Sequence, residues 1–116
     1  MRHRKKGRIF GREAAGRLAM LKGLAASFFA RGRVTTTEAR ARELRPLVEH
    51  MIARARKPTL ANRRLARKLL SPKTTTILIA RAEKLASRPG GFTRLVKLPL
   101  RKSDRASMAM VELVLQ

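Results

Sequence analysis

Closely spaced arginine and lysine side chains carry the most distinctive chemistry in this sequence. Arg63 and Arg67 lie four residues apart, and Arg64 and Lys68 repeat that spacing. On a helix, side chains four residues apart are neighbours, so each pair sets two like charges side by side and weakens an isolated helix by roughly a few tenths of a kcal/mol. No acidic residue lies within ten positions to offset them. Because a polyanion alongside would turn this repulsion into attraction, the spacing predicts phosphate binding rather than a merely solvated face.

Two further groups of cations lie towards the ends of the chain. The first twelve residues, MRHRKKGRIFGR, contain no acidic residue and repel one another, so we expect an extended basic arm over residues 1–12 that orders on its partner. Near the other end, Asp104 is the only acidic residue among the cations that bracket two predicted strands. The side chains of these groups are Arg2, His3, Arg4, Lys5, Lys6, Arg8 and Arg12 in the arm, and Arg88, Arg94, Lys97, Arg101, Lys102 and Arg105 around the strands.

The overall charge leads to the same expectation. The 116 residues contain 29 Lys and Arg against 7 Asp and Glu, which gives a formal net charge of +22 and a pI near 12.0. Charge of that size opposes compaction through self-repulsion, although an apolar content of 44 % suffices for one modest core. The composition predicts a single domain over residues 13–116, preceded by the arm, with a nucleic acid or an anionic membrane as its counterpart.

Catalysis and cofactor binding find little support in the residues present. The chain has no Cys, and its two histidines, His3 and His50, lack the spacing of metal ligands, so we expect no metal or other cofactor. The acidic residues are scattered, and there is neither a phosphate-cradling glycine loop nor a nucleophile–base signature. We therefore expect a protein that is not an enzyme and has no small-molecule substrate.

Among polyanions, a folded nucleic acid fits better than a membrane. No apolar run reaches the ~18 residues of a membrane span, and the chain lacks the Trp and Tyr that anchor interfacial helices or stack unpaired bases. We expect Phe28, Phe29 and Phe92 in the core. The basic start followed by LAMLKGLAASFFA has the outline of a targeting signal, but Lys22 interrupts the apolar run and favours an internal helix of a cytoplasmic protein. What remains is recognition of a structured nucleic acid through its phosphates and shape.

Apolar periodicity predicts the helices that position these side chains. Residues recur at spacings of three and four over 13–31, over about 38–56, and in a short segment that follows Thr59, its expected N-cap. Pro46 lies inside the second helix, where it removes a backbone donor, so we expect a kink or a break there. Residues 73–87 combine strand propensity in TTTILI with helical periodicity, and the periodicity favours a helix.

Caps and strands complete the predicted architecture. Thr35 starts a capping-box pattern, TTTE, with Thr36 and Thr37 as alternative caps for the second helix. After RPGG, apolar residues recur at every second position. The segments FTRLVKLP and SMAMVELVL are therefore predicted to form an antiparallel hairpin with Asp104 in its turn. A lone hairpin is marginally stable in water, so it must rest on the helices, and Val34 could add a third strand. These patterns predict the α+β class, with several helices packed on a small sheet.

Six blocks of the sequence, taken in order, resemble protein seventeen of the bacterial large ribosomal subunit. They are MRHRKKGR, AMLKGLAASF, VTTTEARARELRPLVE, ANRRLA, RPGGFTR and MAMVELV, and they are distributed along the chain from residue 1 to residue 114. The resemblance implies a structural protein of cytoplasmic ribosomes that binds large-subunit ribosomal RNA near the exit of the nascent-chain tunnel, among neighbouring large-subunit proteins. It also implies that the helices pack on a small mixed β-sheet.

The resemblance further implies part of the set of residues that contact the RNA, and the groups of cations described above supply the rest. The arm looks like the deepest contact, Asn62 belongs to the ANRRLA helix, and Gly90 and Gly91 permit the RPGG turn. The complete set of candidate RNA-binding residues is Arg2, His3, Arg4, Lys5, Lys6, Arg8, Arg12, Asn62, Arg63, Arg64, Arg67, Lys68, Arg88, Gly90, Gly91, Arg94, Lys97, Arg101 and Lys102.

A DNA-architectural protein is the alternative from a different class. Such proteins often insert an apolar wedge into the minor groove and usually dimerise. The predicted hairpin has RKSD at its tip, which is polar. The residues alone predict a basic protein that packs nucleic acid, and only the resemblance selects the ribosome.

Overall fold

Four helices and three strands make up the described part of the chain. The computed structural model describes residues 14–114, and the predicted arm over 1–12 lies outside them. None of the helices in this part is both long and apolar enough to span a membrane. In chain order the elements are α1 (Ala14–Arg31), β1 (Arg33–Thr37), α2 (Glu38–Ala55), α3 (Leu60–Arg67), α4 (Pro72–Glu83), β2 (Thr93–Leu98) and β3 (Met108–Leu113). This content confirms the predicted α+β class, the helix after Pro72 and the strand at Val34.

The three strands form one sheet in the order β1-β3-β2. In the central strand, Val111 lies opposite Val34 of β1 and Leu95 of β2. Both pairings are antiparallel, so the mixed sheet implied by the resemblance is wrong. The connection over residues 99–107 joins β2 directly to β3, which suits an antiparallel pair, since a parallel pair needs a longer crossover. Because β1 runs in the same direction as β2, it is antiparallel to β3 as well.

The core lies between one face of the sheet and helices α1, α2 and α4. Phe28 and Phe29 of α1 are fully buried, and their rings pack edge to face with centroids 5.1 Å apart at 76°. Leu78 of α4 and Val111 of β3 are also fully buried, and Phe92 is nearly so. The three phenylalanines therefore lie in the core, as predicted. Burial of each large apolar side chain contributes about 1.5–3 kcal/mol, which opposes the mutual repulsion of the cations.

The N-termini of α2, α3 and α4 are capped by hydroxyl side chains. Thr37 caps α2, since its Oγ1 accepts from the backbone N–H three residues later at 3.4 Å. Thr35, the first candidate cap in the TTTE pattern, instead lies within β1. Thr59 caps α3 as predicted, and Ser71 caps α4, in which Pro72 occupies the first turn. Pro suits that position because its missing N–H has no helical partner there.

Pro46 lies inside α2 without breaking it. The helix runs continuously from Glu38 to Ala55, so the predicted break is absent. Pro46 is exposed, and water can replace the donor that the carbonyl one turn earlier loses. Leu44 and Val48, on either side of it, are fully buried and hold both halves of the helix on the core.

Candidate nucleic-acid interface

The α3 helix presents a stripe of cations to solvent. Arg63, Arg64, Arg67 and Lys68 are all exposed, and we call them the α3 stripe. None of the residues of α3 is fully buried, so the helix adds little to the core. Because the neighbouring sequence supplies no carboxylate, the stripe keeps its charge available to an external anion.

Hydrogen bonds from Asn62 hold α3 against the end of α2. Its Nδ2 donates to the carbonyl oxygens of Lys57 at 2.8 Å and Arg54 at 3.1 Å. Its backbone N–H donates to Oγ1 of Thr59 at 3.2 Å. The carbonyl of Arg54 belongs to the last turn of α2 and that of Lys57 to the connection that follows, so the amide of Asn62 links the start of α3 to both. This candidate RNA-contacting residue therefore positions the stripe.

Hydrogen bonds from two side chains connect the RPGG turn and the residues just after it to α2 and its C-cap. The carboxylate of Glu49 accepts hydrogen bonds from the backbone N–H groups of Phe92 at 3.1 Å and Thr93 at 2.6 Å, and from Oγ1 of Thr93 at 2.7 Å. Arg56 donates Nη1 to the carbonyl of Arg88, and its Cζ lies 4.8 Å from the centroid of the Phe92 ring. A carboxylate from α2 and a guanidinium from its C-cap thus hold the start of β2.

Within the turn, Arg88 and Gly91 are bonded to each other. Nε of Arg88 donates to the carbonyl of Gly91 at 3.1 Å, so part of this guanidinium is used inside the protein. Gly91 has a φ of +63°, a left-handed conformation that favours glycine. Gly90 does not share it, so only Gly91 is required by the backbone, and a Cβ at Gly90 would meet no atom within 4 Å.

Arg94 and Lys97 lie on opposite faces of β2. Arg94 pairs with Glu112 across the strands, with Nη2 2.7 Å from Oε1. Lys97 lies opposite Ala109, which is fully buried, and its Nζ is 3.7 Å from Oε1 of Glu38 at the start of α2. Lys97 is therefore the one on the helix-covered face, at the edge of the sheet. Both cations are exposed and half-neutralised by carboxylates of the same chain.

Arg101 and Asp104 form an ion pair within the connection between β2 and β3. Nε and Nη2 of Arg101 donate to Oδ1 of Asp104 at 2.9 Å and to Oδ2 at 2.7 Å. These bonds, with one from the N–H of Ala106, lower the pKa of Asp104 from 3.8 to about 2. Asp104 is thus the turn residue that the sequence predicted. Lys102, next to this pair, is exposed.

Sequence reasoning passed over two cations beside the α3 stripe. Arg54 and Lys57 are exposed, and their carbonyls accept the hydrogen bonds from Asn62, which places them against the start of α3. The run RARKP just before the Thr59 cap was the available signal. With these two, the region around α3 carries a denser positive charge than the hairpin, whose cations are partly paired.

The arrangement suits electrostatic binding of an extended anion. In the described residues 14–114, no three His, Asp or Glu side chains cluster closely enough to hold a metal ion. The exposed guanidinium and ammonium groups are instead spread along α3 and the hairpin, while Arg88 of the RPGG turn is partly buried. Arg in particular can bind phosphate through two donors at once.

Comparison with known proteins shows the family of this chain. A family model described as ribosomal protein L17 matches residues 20–114. The large ribosomal subunit protein bL17 of Gemmatimonas aurantiaca is 45 % identical over 117 residues, which cover 99 % of each chain. The proteins of that name from Salinibacter ruber and Zymomonas mobilis are each 43 % identical over 116 residues, which cover 98 % of this chain and 59 % and 83 % of theirs. The chain therefore belongs to the ribosomal protein L17 family.

Proposed function

We propose that this protein is a structural component of the large ribosomal subunit that binds large-subunit ribosomal RNA through its phosphates and its shape. The observation that carries the proposal is the α3 stripe, a group of exposed cations on a helix that contributes little to the core. Relatives that match nearly the whole chain are named large ribosomal subunit proteins, which supports the ribosome as the setting. A position near the nascent-chain exit, next to other large-subunit proteins, rests on the family resemblance.

The candidate contacts differ in how freely they can bind. The α3 stripe and Lys102 are exposed, whereas Arg94 and Arg101 must share their guanidinium groups with Glu112 and Asp104. Bidentate phosphate binding by the latter two would first have to displace a carboxylate. We infer that the stripe supplies most of the affinity within the described part, and that the arm adds further phosphate contacts.

Binding to matched nucleic acids tests the proposal. Affinity for transcribed large-subunit ribosomal RNA should exceed affinity for duplex DNA of equal charge at the same salt concentration. The logarithm of the binding constant should fall linearly with the logarithm of salt concentration, because each phosphate contact releases counterions. Tighter binding to duplex DNA would favour the DNA-architectural alternative, and a flat salt response would contradict a mechanism led by phosphates.

Sedimentation of the protein from cells tests the location in the cytoplasmic ribosome. We expect it to migrate with large subunits after a wash at high salt, since many contacts and neighbouring proteins would retain it. Recovery in the free fraction at moderate salt, with intact subunits, would contradict a structural role.

A further inference from the structure

An apolar groove lies between α2, α3 and α4. It has a volume of about 100 Å³ and opens to solvent beside the α3 stripe. Its walls are mostly aliphatic and are formed by Leu47 and Met51 of α2, Leu65 and Ala66 of α3, Leu69 in the turn after α3, and Ile79 of α4. A mostly apolar concave surface with a few polar groups is the usual character of a ligand site.

The groove exists because α3 is held in place by hydrogen bonds at its start and buries few side chains against its neighbours. Leu65 keeps 36 % of its surface exposed, and no residue of α3 is fully buried. Asn62 and the Thr59 cap fix the start of the helix against the end of α2. The atoms that line such an opening lack contact partners on one side, and they gain them when a ligand enters.

The rim of the groove is cationic. Arg54 and Arg63 line it from α2 and α3, and Nε of Arg63 donates to the carbonyl of Pro58 at 3.3 Å, which holds that guanidinium in place. His50 and Asn62 complete the polar rim, and no Asp or Glu is among the described residues that line it. An aliphatic slot with guanidinium groups at its mouth is complementary to a planar ring attached to an anion, which is the chemistry of a nucleotide.

We propose that this groove receives one nucleobase extruded from the bound ribosomal RNA, while Arg54 and Arg63 hold the phosphate of the same nucleotide. This inference rests on the proposed function. An apolar cavity of about 150 Å³ accommodates benzene, so a groove of about 100 Å³ that is open on one side takes a single six-membered ring, which favours a pyrimidine. The chain has no Trp or Tyr to stack such a base, and the aliphatic walls take their place.

A substitution that fills the groove without removing charge tests the proposal. Ala66→Leu adds bulk to the groove wall, and Ala61→Leu makes the same change on the exposed side of α3 as a matched control. We expect Ala66→Leu to weaken binding to transcribed large-subunit ribosomal RNA about tenfold and to lower the salt slope by no more than about one, because only the phosphate held by Arg54 and Arg63 can be lost together with the base. Ala61→Leu should stay within about twofold of the unaltered protein.

Crosslinking of the unaltered protein provides a second measurement that does not depend on how the variant folds. Ribosomal RNA transcribed with 4-thiouridine is bound, irradiated and digested, and the modified peptides are identified by mass spectrometry. We expect a crosslinked uridine on the α2 peptide that contains Met51 or on the α3 peptide that contains Leu65. Crosslinks confined to peptides away from the groove, together with equal binding by Ala66→Leu and Ala61→Leu, would overturn the proposal.

Two other outcomes separate the groove from the function on which it rests. If Ala66→Leu binds RNA normally but fails to retain a neighbouring protein in reconstituted subunits, the occupant is a protein side chain and the nucleobase proposal is wrong. If the unaltered protein does not bind ribosomal RNA at all, the proposed function and the groove proposal both fail.

Discussion

The guanidinium of Arg81 lies directly against Gly32, with Nη1 3.3 Å from the place that a Cβ would occupy. Its Nε donates to the carbonyl of Phe29 at 2.6 Å, and its Nη2 donates to that of Ala30 at 3.1 Å. These carbonyls belong to the last turn of α1, where helical partners are missing. Gly32 itself has a φ of +83°, and its N–H donates to the carbonyl of Phe28. A cation of α4 thus completes the end of α1 at a position whose left-handed backbone favours glycine.

Replacing Gly32 by Ala should therefore destabilise the protein. The left-handed backbone is strained for residues with a Cβ, and the added atom would press on Arg81, so we expect the free energy of unfolding to fall by about 1–3 kcal/mol. Denaturant titration measures this change. Gly23→Ala is the control, since Gly23 lies within α1 in open space and Ala there should stabilise by about 0.5–1 kcal/mol. Equal effects of both substitutions would contradict the role of Gly32.

Arg81 and Arg64 should respond in opposite ways to substitution by Gln. Arg81→Gln removes hydrogen bonds to backbone carbonyls, so we expect a loss of about 1.5–3 kcal/mol in the free energy of unfolding, with an unchanged salt slope of RNA binding. Arg64→Gln should leave stability nearly unchanged and reduce the salt slope by about one. Thermal unfolding and RNA titrations at several salt concentrations distinguish these outcomes. If Arg81→Gln lowers the salt slope, Arg81 also contacts RNA.

Replacing Glu49 by Gln should loosen the start of β2. The amide has one acceptor oxygen in place of two, so at least one donor of Phe92 or Thr93 loses its partner, at a cost of about 1–3 kcal/mol. Hydrogen exchange should show faster exchange at the backbone N–H groups of those two residues. Glu83→Gln, at an exposed position at the end of α4, is the control and should leave both rates unchanged. Unaltered protection in Glu49→Gln would show that the turn is held by other contacts.

The Asp104 carboxylate should remain ionised far into the acid range. Its pKa is lowered from 3.8 to about 2, chiefly by the hydrogen bonds from Arg101. Because the folded pKa is the lower one, this contact stabilises the fold above about pH 4 and the contribution is lost as the pH falls through about 2. A carbon-13 titration of the carboxyl group measures the midpoint. Arg101→Gln should raise the midpoint towards 3.8, whereas Lys102→Gln should hardly move it.

Deletion of residues 2–8 should weaken binding without lowering stability. The segment contains five Arg or Lys residues, one His and no carboxylate, so its loss should reduce both the RNA affinity and the salt slope. We expect thermal unfolding of the free protein to be unchanged, because the predicted arm precedes the domain that contains the buried core of the described residues. A large fall in the unfolding temperature would mean that the segment is part of the core.

The sequence predicted the elements better than the roles of individual cations. Residues 72–83 form a helix because Leu78 and Ala82 share its buried face, and this periodicity outweighed the strand propensity of TTTILI. The sequence did not determine the N-cap of α2, because three consecutive threonines all fit the capping pattern. Thr37 is the cap because β1 ends at this residue and α2 begins at the next one. Arg81 could not be told from a phosphate ligand because its partners lie 52 and 51 residues away in the sequence.

One helix positions two features of the described surface, the α3 stripe and the RPGG turn. Asn62 ties α3 to the last turn of α2, while Glu49 and Arg56 tie the RPGG turn to the same half of that helix. The distance between these features is therefore set by the protein and not by its partner. Any partner that contacts both α3 and the RPGG turn must therefore present its two contacting parts at the separation that α2 sets.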